Sequence, residues 1–215
     1  MKNQHIIWLA SYPRSGNTLL RTVLWHCLGL RSASIYPLDL GGNTALENYV
    51  GHIEHSRDGR IAFPEGALPL IKTHGHPSKP QGKTIYIVRD GRAACVSLWE
   101  FYNRSIAMDS VIQGHHRFGT WARHLSTWKP WERKNTLLLR YEDIVDNLPS
   151  VLDSLSRFLN RKIIAPGIPE REHIADVDGR WVRKKTRWQS VLSDEQLKLF
   201  NTVNRKMMRK MMYCD

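Results

Sequence analysis

Three clusters of polar residues in this chain could do chemistry, and each follows a short apolar run. They are Ser11-Tyr12-Pro13-Arg14-Ser15-Gly16-Asn17-Thr18, Lys72-Thr73-His74-Gly75-His76, and Arg89-Asp90-Gly91-Arg92 with Ser97 beyond it. A loop between a strand and a helix presents unpaired backbone N–H groups and the positive end of the helix dipole. In the first cluster, Gly16 lets the backbone turn tightly and come close to a ligand. Ser15, Asn17 and Thr18 add side-chain donors, and Arg14 adds a charged fork suited to phosphate or sulfate oxygens. The first cluster therefore reads as an anion-binding loop.

It is not a Walker loop. The pattern G-x-x-x-x-G-K-[ST] would place glycine where Ser11 stands and lysine where Asn17 stands. The third apolar run ends in Arg89 before Asp90, so no Walker-B aspartate closes it. A Mg²⁺-triphosphate site is disfavoured, and a P-loop nucleotide kinase or NTPase is the alternative reading.

The elements that must position these clusters follow from periodicity. Residues 6–10, 68–72, 83–88 and 136–140 read as buried strands. Asn17 or Thr18 can cap a helix that carries Leu19, Leu20, Val23, Leu24 and Cys27 on one face. Further helices are expected over 92–102, 115–131 and 149–159. Ser193 with Gln196 reads as a capping box opening a last helix that runs into 207–213, with Met207, Met208, Met211 and Met212 as its buried edge. Trp121 and Trp128 repeat at helical spacing and read, with Trp131, as core. Residues 31–64 read as loops with a short helix near 45–52. Strands alternating with helices imply an α/β fold: three-layer, P-loop-like, a central parallel β-sheet flanked by helices. Ligands of such sheets sit beyond the carboxyl ends of the strands, where the three clusters should converge.

The bulk numbers narrow the partners. A chain of 215 residues predicts one domain, 1–215. The net charge of +12 predicts an anionic partner: nucleic acid, a membrane surface, or a phosphorylated or sulfated small molecule. A basic nucleic-acid-binding protein is a second alternative, but no nucleic-acid motif appears. Cys27, Cys95 and Cys214 are odd in number and form no C-x-x-C pattern, which predicts a reduced cytoplasmic protein without a structural disulfide. The apolar run near the N-terminus is too short for a signal peptide, and none has transmembrane length. No membrane or nucleic-acid partner is expected.

The motifs carry a family resemblance. Tyr12-Pro13-Arg14-Ser15-Gly16-Asn17-Thr18 resembles the 5′-phosphosulfate loop, Y-P-K-S-G-[TN]-T, of sulfotransferases that use 3′-phosphoadenosine 5′-phosphosulfate (PAPS). Ile87-Val88-Arg89-Asp90-Gly91-Arg92 with Ser97 is similar to that family's 3′-phosphate motif. Lys72-Thr73-His74 looks like its K-T-H segment, and Tyr141-Glu142-Asp143 like its Y-E-D. Arg183-Lys184-Lys185 with Trp188 looks like its C-terminal R-K-G…W. All five occur in family order. Arg14 replaces the usual Lys, Leu19 replaces a Trp that stacks on adenine in many members, and Lys185 replaces Gly.

The resemblance implies a sulfotransferase of EC 2.8.2 type, with PAPS as co-substrate, its product PAP, and no metal. Arg14, Ser15, Gly16, Asn17 and Thr18 would hold the 5′-phosphosulfate. Arg89 and Ser97, with Arg183 and Lys184, would hold the 3′-phosphate, and Tyr141 would lie by the adenine. His74 is the candidate general base, because imidazole titrates near neutrality and this one ends a strand. His76 is the second choice. Lys72 and Arg14 would stabilise charge on the transferred group. His74-x-His76 lacks a third metal ligand. The acceptor is a small molecule or glycan, with its pocket shaped by 31–66 and 103–120. The resemblance leaves a homodimer open.

Overall fold

The computed structural model describes residues 6–76, 82–169, 177 and 187–213. Its described strands form one five-stranded sheet: β1 (Ile7–Ser11), β2 (Ala33–Ser34), β3 (Leu70–Thr73), β4 (Thr84–Val88) and β5 (Thr136–Arg140). Their order is β2-β3-β1-β4-β5, and every pairing is parallel. β1 lies at the centre, with Ala10 beside Thr73 on one side and Tyr86 on the other. The chain leaves β1 towards the β2–β3 side and later returns to the β4–β5 side. The crevice of this sheet therefore opens at the carboxyl ends of β1, β3 and β4.

The strands read as continuous apolar runs because both faces are covered. Alternate side chains feed two different cores. Ile7 and Leu9 of β1, Ile85 and Ile87 of β4 and Leu139 of β5 face α1 (Asn17–Leu28) and α7 (Leu148–Leu159). Ala10, Tyr86 and Val88 face α3 (Gly91–Phe101), α4 (Met108–Ile112), α5 (Trp121–Trp128) and α8 (Asp194–Lys210). Two further α-helices are short, α2 (Thr44–Tyr49) and α6 (Tyr141–Asp146), and Trp188–Ser190 forms one 3₁₀ turn. These are the three layers expected from the sequence.

Several expectations need correction. The helix expected over 115–131 covers only Trp121–Trp128, because Gly114 and Gly119 take left-handed backbone and Thr120 caps the helix by accepting from Arg123 N. α4 was not anticipated; nor was α6, which starts on Tyr141 and follows β5 with no intervening residue. α1 is capped by neither Asn17 nor Thr18: Gly16 is its N-cap, with φ 100°. Asn17 instead turns inward, its Nδ2 donating to Leu9 O at 2.9 Å. The Ser193–Gln196 capping box is present. α8 stops at Lys210, and Met212, left-handed at φ 56°, turns out to solvent while Met208 and Met211 stay buried. Trp121 and Trp128 are buried in the core, and Trp131 packs on its edge. Cys27 and Cys95 are free thiols. Among the described residues no helix is long and apolar enough to cross a membrane.

Candidate active site

The loop between β1 and α1 turns on Gly16. A Cβ there would lie 2.5 Å from Tyr141 Cδ2, so only glycine lets the Tyr141 ring pack against the turn. Tyr141 opens α6 at the end of β5, and the Arg89 guanidinium lies 4.4 Å from its ring centroid. Tyr141 is thus packed between the anion loop and the end of β4. Ser15 Oγ and Asn17 Oδ1 are buried without a hydrogen-bond partner among the described residues. Leaving a buried polar group unpaired costs about 1–3 kcal/mol.

Arg14 joins the loop to the next cluster. Its backbone is left-handed, at φ 66°. Its carbonyl accepts from Arg89 Nη1 at 3.0 Å, and its Nε donates to Ser97 Oγ at 3.3 Å. Arg14, Arg89 and Ser97 therefore converge, although they come from the β1 loop, the end of β4 and the middle of α3. Asp90 starts α3 by accepting from Arg92 N at 2.8 Å, and its own N–H donates to Glu142 Oε1 at 3.2 Å. Arg92 pairs with Asp90 and lies over the Trp188 ring at 4.2 Å. Arg183, Lys184 and Lys185 lie outside the described residues.

His74 follows β3 and is half-buried. Its Nδ1 lies 2.8 Å from Ser11 O, and a carbonyl can only accept, so Nδ1 carries the proton. Nε2 is left with the lone pair. Tyr36 stacks on the ring at 6.0 Å, Phe118 meets it edge-on at 5.9 Å, and the His74 backbone N–H donates to Tyr36 Oη. The His74 carbonyl accepts from His124 Nε2 at 3.1 Å, and His124 Nδ1 accepts from Tyr86 Oη at 2.7 Å. Burial holds the His74 imidazole well below its ordinary range, and the nearby Lys72 ammonium pushes in the same direction. His76 is exposed and donates to Phe118 O. No group of metal-ligating side chains occurs among the described residues.

Lys72 is buried and paired. Its Nζ meets Asp39 Oδ1 at 2.5 Å, and Arg21 Nη1 takes Asp39 Oδ2 at 2.8 Å. Sequence reading missed Asp39, Arg21 and Tyr36. The signals existed: Asp39 is the sole acid in 31–46, and Arg21 interrupts the apolar face of α1. Leu19 packs against the α1–α7 core.

The sulfotransferase domain model matches residues 4–213, and the chain belongs to the sulfotransferase family. It is 26% identical over 174 residues to mouse Sulfotransferase 4A1, covering 71% of this chain and 59% of that protein. It is 29% identical over 170 residues to 3-alpha-hydroxysteroid sulfotransferase of Cavia porcellus, covering 71% of this chain and 58% of that protein. The chain thus spans somewhat under two thirds of the length of these relatives. The fold matches mouse sulfotransferase SULT7A1 complexed with PAP, at a TM-score of 0.67 and 19% identity, over 96% of this chain and 84% of that one.

Proposed function

We propose that the chain, as one domain over 1–215, transfers a sulfuryl group from PAPS to a hydroxyl or amine of a small-molecule or glycan acceptor in the cytoplasm. The observation that carries this reading is the meeting of three strand ends. β1 brings a loop with a buried, unpaired Ser15 hydroxyl, β4 brings Arg89 beside Arg14 and Ser97, and β3 brings a histidine with its Nε2 lone pair free. The unpaired Ser15 hydroxyl and the N-terminus of α1 fit an oxyanion. Arg89 and Ser97, which Arg14 ties to the loop, fit a second anionic group on the same ligand. Family membership and the PAP bound to the mouse structure point the same way.

PAPS supplies the sulfuryl group attached to a phosphate leaving group. Arg14 and residues 15–18 hold the phosphosulfate end. Arg89 and Ser97, with Arg183 and Lys184, hold the 3′-phosphate, and Tyr141 borders the adenine side. His74 Nε2 accepts the acceptor's proton, and Ser11 O holds the ring in the required tautomer. Arg14 and Lys72 stabilise the charge that develops, as preorganised cations do in phosphoryl transfer. The acceptor is expected against Tyr36 and Phe118, the two rings that wall His74. The named steroid relative makes alcohols and phenols the first acceptors to try.

The test is transfer of radiolabelled sulfate from PAPS to an acceptor panel, with His74→Ala as control. Transfer that the control lacks is the expected result, and full activity in the control removes His74 as base. PAP should raise the melting temperature without Mg²⁺. Stabilisation by ATP–Mg²⁺ with no response to PAP would favour the kinase alternative.

A further inference from the structure

Lys72 is held by a closed set of buried groups that the transfer reaction does not otherwise use. Asp39 takes Lys72 Nζ on Oδ1 and Arg21 Nη1 on Oδ2. Arg21 has no exposed surface. Its Nε donates to Ser32 Oγ at 2.8 Å and its Nη2 lies 2.7 Å from His52 Nδ1. Arginine can only donate, so His52 is neutral at Nδ1. Burial and the Arg21 charge pull the His52 imidazole down to about 4. The set joins α1 (Arg21), the β2 edge (Ser32), the segment between β2 and α2 (Asp39) and β3 (Lys72).

We infer that Asp39 is a positioning residue for Lys72: its carboxylate, fixed from behind by Arg21, fixes where the Lys72 ammonium sits at the end of β3. This rests on the sulfotransferase reading above. Two cations share one carboxylate, so Asp39 cannot follow Lys72 if Lys72 moves. Arg21 keeps it in place. A buried pair of this kind is weak evidence of a gain in stability, because desolvation offsets the attraction. Its effect is geometric and electrostatic. The groups that face Lys72 are Asp39, Arg21 of α1, Arg14 of the anion loop, His74 two residues on, and the Tyr36 ring at 5.9 Å. Burial lowers the Lys72 ammonium to about 8, Arg21 and Arg14 push it the same way, and Asp39 opposes them. The pair therefore keeps Lys72 charged at neutral pH.

Asp39→Asn tests this with two separate readouts. The first is independent of activity: ¹³C-lysine NMR titration, with the Lys72 signal assigned by its loss in Lys72→Arg. Lys72 should titrate about one pH unit or more lower in Asp39→Asn than in the wild type. An unchanged titration overturns the inference. The second is sulfuryl transfer. The kcat should fall roughly 10²-fold, with the alkaline limb of its pH profile moved down and the KM for PAPS within about threefold. An unaltered kcat also overturns the inference. A shifted titration with no transfer by wild type or variant supports the pairing and overturns the function proposed above. If Asp39→Asn does not fold, Asp39→Glu keeps the charge on a longer stem. There the Lys72 titration should stay near the wild-type value while kcat drops at least roughly tenfold, and an undiminished kcat overturns the positioning role.

Discussion

The two sides of the β1 crevice treat buried polar groups in opposite ways. On the β3 side, Lys72, Asp39, Arg21, Ser32 and His52 answer one another completely. On the β1–α1 side, Ser15 Oγ and Asn17 Oδ1 are buried with no partner among the described residues. The first arrangement is finished by the chain itself. The second is costly as it stands, and an oxyanion received by the loop would offset the Ser15 part of that cost by accepting from its hydroxyl. The contrast separates a preset catalytic wall from a receptive cradle.

The strongest way to break this division is to exchange its phenotypes. His74→Ala, on the preset side, should lower kcat by about 10²–10⁴-fold while leaving the PAP-induced rise in melting temperature intact. Gly16→Ala, on the receptive side, should do the reverse to binding. Its methyl meets Tyr141 at a φ of 100°, so a loss of about 3 kcal/mol of stability and of the PAP response is expected in a denaturant titration. If PAP binding survives Gly16→Ala and fails in His74→Ala, the division is wrong.

Two serines sharpen the contrast further. Ser32→Ala removes an acceptor from a buried guanidinium and should cost about 1–3 kcal/mol. Ser15→Ala removes a hydroxyl that has no partner and should cost nothing measurable before ligand is added, yet weaken PAP severalfold by calorimetry. Equal destabilisation by both would show that Ser15 is also a structural donor.

The smallest effect is on pH. His52 and His124 are pulled by burial down to about 4 and about 3, and His74 is also lowered. An unfolded chain takes up these protons near pH 6.5 and the folded chain does not. Stability is therefore fully present above about pH 6.5 and is lost as pH falls towards 4. The melting temperature should decline across that window, and His52→Gln should flatten part of the decline. The acid limb of kcat/KM should lie below the ordinary histidine range, since neutral His74 is the active form.

How much of this was legible in the sequence follows from the physics. The three strand ends could be read because parallel strands bury both faces and end abruptly at polar residues. Arg14, Arg89 and Ser97 could be proposed as neighbours because the fold sends all strand ends to one crevice. Asp39 could not be placed, since nothing local ties a loop carboxylate to a lysine that follows it by 33 positions. The truncated helix before Trp121 shows a simpler failure. Its apolar spacing continued through Gly119, but the backbone did not.

The left-handed turn at Arg14 has a mechanical consequence. One residue ties its carbonyl to β4's Arg89 and its side chain to α3's Ser97, so β1, β4 and α3 are riveted at a single point. Shear between these elements would break both ties together. The anion loop, the end of β4 and the middle of α3 are therefore coupled through one residue, and a change at Arg14 would be felt by all three.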